Sequence, residues 1–214
     1  MQPLPIDGYL VEVAAALAQQ GALVLTAAPG AGKSTRVPPR VLAGLADGQQ
    51  VVLLQPRRVA AISLAQRIAD EQRWRLGREV GYRVRLDRVG GPLTRLWVET
   101  EGTLTRQLLA DPYLDGVGAV IIDEFHERSW HADLTLSWLA ELRRTVRPDL
   151  QIVVMSATMA AEPVAAFLQA PICAVPGSQP PVATMQRPPR SQERLVEQAC
   201  RVTEEALTAE DSGS

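Results

Sequence analysis

The residues best placed to do chemistry lie in one short stretch, Ala27-Ala28-Pro29-Gly30-Ala31-Gly32-Lys33-Ser34-Thr35. An apolar run, Ala22 to Thr26, precedes it and a segment able to form a helix follows. In a loop between strand and helix, successive backbone N–H groups converge on an anion, and the positive end of the helix adds to the attraction. Gly30 and Gly32 let the backbone take unusual dihedrals and approach a phosphate with no Cβ in the way. Lys33 then reaches the terminal phosphates, and the Ser34 hydroxyl is placed to ligate magnesium. The strict form of the motif has glycine where this chain has Ala27. Of the 22 basic residues Lys33 is the only lysine, so a slim ammonium is kept where a planar guanidinium would not fit the loop. The blander alternative is a glycine turn that happens to precede Lys-Ser, and the flanking strand and helix weigh against it.

A second chemical group is Asp123-Glu124, directly after the apolar run Val117 to Ile122. Ligands of open parallel sheets bind beyond the carboxyl ends of the strands. Magnesium is a hard ion, commonly held by one or two carboxylates together with substrate phosphates and water. Asp123 therefore suits the metal, directly or through water, while Glu124 can polarise an attacking water. Such a pair alone is often only a solvated corner; joined to Lys33 and Ser34 it reads as catalytic. His126 and His131 stand five residues apart, which does not put them on one helical face, so a zinc site is not expected.

These groups need a scaffold, and the rest of the pattern supplies one. Helical spacing over Asp7 to Gln20 ends at Gly21. Buried strands are expected at Ala22 to Thr26, Val51 to Leu54, Val117 to Ile122 and Gln151 to Met155, with shorter ones at Val80 to Val84, Arg95 to Val98 and Ile172 to Val175. Helices are expected over Val59 to Ala69, Glu101 to Ala110, Leu134 to Leu142 and Ala160 to Leu168. The helix after the phosphate loop is expected to end or bend at Val37-Pro38-Pro39 and to resume through Arg40 to Leu45. Strands alternating with helices predict an α/β fold, a mostly parallel sheet with helices on both faces. Prolines break up residues 176–190 into a linker, and Ser191 to Ala209 reads as one amphipathic helix.

Composition sets outer bounds. A chain of 214 residues with 46% hydrophobic content can bury a real core, built from aliphatic residues because only 4% are aromatic. A net charge of −2 carries no global nucleic-acid signature. Locally, seven arginines between Arg73 and Arg95 face only Glu79 and Asp87. That excess reads equally as a solvated surface or as a basic docking segment. Cys173 and Cys200 read as reduced thiols, no signal peptide is evident, and no run approaches a membrane span, so a cytoplasmic protein is expected.

The segment Asp123-Glu124-Phe125-His126-Glu127-Arg128 resembles the D-E-x-H box of superfamily 2 helicases, in the form of the DEAH-box RNA helicase branch. Other pieces fall in that family's order. Ala27 to Thr35 looks like motif I, Gln55-Pro56-Arg57-Arg58-Val59-Ala60-Ala61 like motif Ia, Thr100-Glu101-Gly102-Thr103-Leu104 like motif Ib, and Ser156-Ala157-Thr158 like motif III. Val80-Gly81-Tyr82-Arg83-Val84-Arg85 also matches, and Phe125 with the run 100–106 is most similar to the bacterial HrpB group. The resemblance implies a three-layer RecA-like P-loop NTPase domain over residues 1–175.

It also implies roles. Pro29, Gly30, Ala31, Gly32, Lys33, Ser34 and Thr35 would bind the phosphates of ATP, and Ser34 and Asp123 would hold Mg2+. Glu124 would activate water, with Lys33 and His126 in the same machinery. Arg67 resembles an arginine that stacks on the nucleotide base. Arg57, Arg58, Thr100, Gly102 and Thr103 would face a nucleic-acid backbone, with RNA favoured over DNA. His126, Ser156 and Thr158 would link nucleotide state to nucleic-acid grip. The family uses a second RecA-like domain to complete its cleft, and no candidate for that domain's motifs follows Thr158. Residues 191–214 resemble only its opening helix, so a truncated first domain with little activity alone is expected. A self-contained P-loop phosphotransferase and a nucleotide-dependent binding module without catalysis remain as alternatives.

Overall fold

The computed structural model describes residues 3–157, 161–176, 186–190 and 192–211. Two compact units divide the chain, Met1–Ser178 and Gln179–Ser214. In the first, eight strands form one sheet: β1 (Ala22–Ala27), β2 (Gln50–Gln55), β3 (Val80–Val84), β4 (Asp87–Val89), β5 (Leu96–Thr100), β6 (Val117–Ile122), β7 (Gln151–Ser156) and β8 (Ile172–Val175). Their order across the sheet is β4-β3-β5-β2-β6-β7-β1-β8. Every neighbouring pair is parallel except β3 and β4.

Continuous apolar runs form these strands because both sheet faces are covered. Alternate side chains feed two separate cores. Leu23, Leu25, Leu53, Ile121 and Val153 pack with Val13 and Leu17 of α1 (Leu10–Gln20), Val37 and Val41 of α2 (Lys33–Leu42), and Ala61, Ala65 and Ile68 of α3 (Arg58–Gln72). Val24, Leu54, Val120, Ile122 and Val154 pack on the other side. There they meet Leu104 and Leu108 of α4 (Glu101–Ala110), Leu136 and Leu139 of α5 (Trp130–Thr145), and Val164 and Leu168 of α6 (Glu162–Leu168). The three-layer α/β arrangement expected from the alternating pattern is present.

Two local features depart from what the sequence suggests, for physical reasons. Helix α2 does not break at the prolines but runs through Pro38 and Pro39 to Leu42. Each proline removes one intrahelical bond, a cost of about 3 kcal/mol. Val37, Pro38, Pro39 and Val41 are all buried, so packing against the sheet offsets the missing bonds. Strand β4 was not expected at all. It is three residues long, carries Asp87 and Arg88, and closes a hairpin whose two-residue turn, Arg85-Leu86, contains neither glycine nor asparagine. Leu86, the second turn residue, takes a positive φ of 65° while Arg85 does not, so the turn is not one of the primed types usual in two-residue hairpins.

Helix α5 starts at Trp130, earlier than the apolar spacing indicates, because Ser129 caps it by accepting the Ala132 N–H at 2.9 Å. Gly21 ends α1 in the left-handed conformation, as a helix-terminating glycine should. In the second unit, α7 (Leu195–Asp211) carries Arg201, which pairs with Glu193 at 2.7 Å and Glu205 at 3.1 Å.

Candidate functional site

The phosphate-type loop leaves β1 and enters α2 at Lys33, with Gly30 at φ 79° and Gly32 at φ 92°. At Gly32 a Cβ would also lie 2.5 Å from the Leu4 side chain, so conformation and close approach both demand glycine. Gly30 has open space around its missing Cβ, so its requirement is conformational. Ala31 turns inward: its N–H donates to the Ala28 carbonyl at 3.2 Å and its side chain joins the core.

Three neighbouring strand ends bring the reactive groups together. The β6 chain runs from Ile122 into Asp123, whose N–H donates to the Leu54 carbonyl of β2 at 3.1 Å. Gln55, the last residue of β2, donates its amide to the Asp123 carboxylate at 2.6 Å. Asp123 is 1% exposed, and burial pushes its carboxyl above the usual range. The Ser34 hydroxyl, Lys33 and the Glu124 N–H, which donates at 2.9 Å, oppose that rise, while the Glu124 charge adds to it. Ser34 and Asp123 thus present a hydroxyl and a carboxylate at one point, a pair of hard oxygens that fits Mg2+.

Glu124 stands at φ 52°, a left-handed conformation rare for a side chain of its size and costly by about 1–2 kcal/mol. The kink turns its carboxylate back over the loop. There it meets the Lys33 ammonium at 3.3 Å and His126 Nδ1 at 3.4 Å. Lys33 is 4% exposed while Glu124 remains partly exposed, so the pair is sheltered from water on the lysine side. His126 Nδ1 also lies 3.4 Å from the Ser156 hydroxyl and 3.5 Å from the Ala157 N–H, at the end of β7. Thr158 lies outside the described residues.

A cleft of about 370 Å³ opens over these groups, lined by Pro29, Gly30, Gly32, Lys33, Ser34, Thr35, Gln55 and Glu124 on one side and by Ala60, Ser63, Leu64 and Arg67 of α3 on the other. The remaining residues singled out in the sequence gather beside it. Arg57 pairs with Glu127 at 3.0 Å while remaining largely exposed, and Arg58 lies 3.7 Å from Asp87 of the β3–β4 hairpin. Thr100 precedes α4 and shares a 2.8 Å hydroxyl contact with Thr103. Gly102 faces His131, whose ring lies 3.5 Å from where a Cβ would be.

Several contributors carry no local sequence signal. Glu101 turns its buried carboxylate inward to the Ser129 hydroxyl, tying the start of α4 to the start of α5. Glu127 ties Arg57 to the segment that follows Asp123-Glu124. Gln55 braces Asp123 across 68 residues of sequence. All three lie in segments already singled out in the sequence, at 55–61, 100–104 and 123–128, but nothing local tells which partner each one finds.

Comparison with known proteins decides the family. The family model described as DEAD/DEAH box helicase matches residues 11–167. The chain belongs to the DEAD/DEAH box helicase family. Among relatives of this helicase domain, Escherichia coli ATP-dependent RNA helicase HrpB is 41% identical over 215 residues, which is 100% of this chain and 26% of that protein. Probable ATP-dependent RNA helicase DHR2 of Saccharomyces cerevisiae is 41% identical over 180 residues, covering 82% of the chain and 24% of the yeast protein. The crystal structure of E. coli DEAH/RHA helicase HrpB superimposes with a TM-score of 0.89 over 96% of this chain and 26% of its own. The helicase domain described here therefore spans about a quarter of the length of the relatives it matches.

Proposed function

We propose that residues 1–175 form the first RecA-like domain of an ATP-dependent RNA helicase, binding Mg-ATP in the 370 Å³ cleft and a nucleic-acid backbone beside it. Residues 176–190 link it to a segment, 191–214, that opens a second such domain. One observation carries the reading: Lys33, Ser34, Asp123 and Glu124 converge at the carboxyl ends of the strands, next to the exposed Arg57 and the start of α4.

The loop backbone from Gly30 to Thr35 and the Lys33 ammonium hold the β- and γ-phosphates. Ser34 and Asp123 would hold Mg2+, which when bound neutralises charge on the phosphate oxygens. Glu124 takes the proton of the attacking water as its oxygen bonds to the γ-phosphorus and the bond to the β-phosphate oxygen breaks, leaving ADP and phosphate. His126 touches both Glu124 and the end of β7, so a change at the γ-phosphate reaches Ser156. Arg57 and Arg58 supply charge to the nucleic-acid backbone, and the first turn of α4, from Thr100 through Gly102 and Thr103, supplies N–H groups. Arg67 offers a flat guanidinium to the base.

An arginine finger from a second domain is worth about 10³–10⁵ in rate in related phosphoryl transfer, so this chain alone binds nucleotide and turns it over slowly. Titration with a fluorescent ATP analogue in Mg2+ tests the reading. Lys33→Ala is expected to weaken binding by about 10- to 100-fold, the loss of a charge-assisted contact to phosphate. Unchanged affinity in that variant would sink the assignment, and fast RNA-stimulated turnover by this chain alone would overturn the division of labour between two domains.

A further inference from the structure

A second, larger recess of about 610 Å³ adjoins the phosphate cleft, and Arg67 belongs to the walls of both. A ligand that has its phosphates at Lys33 and its remaining bulk in this recess must pass Arg67. Yet Arg67 is a long side chain, 66% exposed, on the open face of α3, and left alone it would sample many rotamers. Among the described residues, one group restrains it. Glu71, one turn further along α3, accepts the Arg67 Nε–H at 2.9 Å.

Glu71 is itself held. Its side chain is 19% exposed, and its second oxygen lies 3.5 Å from Nε of the buried Arg36 on α2. Arg36 in turn lies 3.7 Å from Asp7, whose carboxylate accepts the Leu4 N–H at 2.8 Å. Burial raises the Glu71 pKa, but the bond from Arg67, the neighbouring Thr35 hydroxyl and the charge of Arg36 outweigh it, so the group stays ionised at neutral pH. The carboxylate is thus held from α2 by Arg36, three residues after Lys33, and it presents its other oxygen to Arg67.

We propose that Glu71 is the positioning residue for Arg67, fixing the guanidinium at the junction of the two cavities so that the nucleoside part of a bound nucleotide adds to affinity. The inference rests on the nucleotide reading of the cleft. It concerns only the part of the binding free energy that inorganic triphosphate cannot collect, because the phosphates are held by Lys33 and the loop backbone.

Calorimetric titration of the chain with ATP and with inorganic triphosphate, both in Mg2+, tests it. Wild type should bind ATP more tightly than triphosphate. Glu71→Ala should lower that preference by about tenfold, the scale of an ordered cation–π contact, while triphosphate affinity changes less than about twofold. Arg67→Ala should lose the same preference, and the double variant should lose no more than either single one. Glu71→Gln keeps an acceptor for Arg67 and should retain part of the preference. An unchanged preference in Glu71→Ala, additive losses in the double variant, or equal weakening of both ligands would each overturn the proposal. Failure of the underlying nucleotide reading looks different: wild type then binds neither ligand, or Lys33→Ala leaves both affinities intact, and the role of Glu71 falls with it.

Discussion

Glu99 on β5 is fully buried one residue before Thr100, and its protonation should be readable as stability. Burial pushes its carboxyl up to about 7, against the opposing pull of Arg83 at 2.9 Å, the Gln107 amide at 2.9 Å and the Arg88 charge. Arg83 and Arg88 also flank the buried Trp97, with guanidinium carbons 4.0 and 5.0 Å from the ring centre, so neither can move freely toward the carboxylate. The sign follows from linkage. A carboxyl raised from 4.5 to about 7 keeps its proton in the folded state where the unfolded chain has lost it. Stability from this group is full below about pH 4.5 and is lost as pH rises through about 7. At about 1.4 kcal/mol per pKa unit, the loss between pH 5 and pH 8 is about 2–3 kcal/mol. Urea unfolding of wild type and Glu99→Gln at both pH values isolates the effect. The variant carries a neutral side chain of similar shape at both pH values, so any change in packing shifts its stability equally at both, and the wild-type minus variant difference should fall by that amount from pH 5 to pH 8. A difference that is flat or grows with pH would refute the reasoning.

Two further outcomes are expected. Arg57→Ala removes a largely exposed ion pair and should leave stability within about 0.5 kcal/mol. The same variant should weaken binding to labelled single-stranded RNA and flatten its salt dependence by about one unit of slope, measured by anisotropy across salt concentrations. Arg147→Ala should cost about 2–4 kcal/mol in urea unfolding, because its guanidinium donates to the Tyr113, Leu114 and Val117 carbonyls at 2.8, 3.0 and 2.9 Å and seats the start of β6. Its effect on nucleotide affinity should be small wherever the protein is folded, since β6 carries Asp123 at the opposite end.

The parts of this domain legible in sequence are those where one continuous segment holds the whole signal. A buried parallel strand is an unbroken apolar run, and its functional cargo comes at its end: Thr26 leads to the phosphate loop, Ile122 to Asp123, Met155 to Ser156. What could not be read locally depends on partners far along the chain. Gln55 finds Asp123, Glu101 finds Ser129, and Glu71 finds Arg36 only once the sheet is assembled. The unbroken run of α2 through Pro38 and Pro39 belongs to the same class, since local preference argues for a break and only burial overrides it. The β3–β4 hairpin was hidden by a turn without the usual turn residues.

Lys33, finally, is the chain's sole side-chain amine, and the fold encloses it against Glu124. Reactions that target amines, such as acylation or reductive alkylation, find no second side-chain amine here, and the N-terminal α-amine, the one competitor, lies on a different peptide after cleavage at Glu12. Any side-chain amine adduct therefore reports on the cleft itself, and its yield measures how often the loop and Glu124 part enough to admit the reagent. A mass shift confined to the peptide containing Lys33 would turn an arginine-rich composition into a built-in footprinting probe of the nucleotide site.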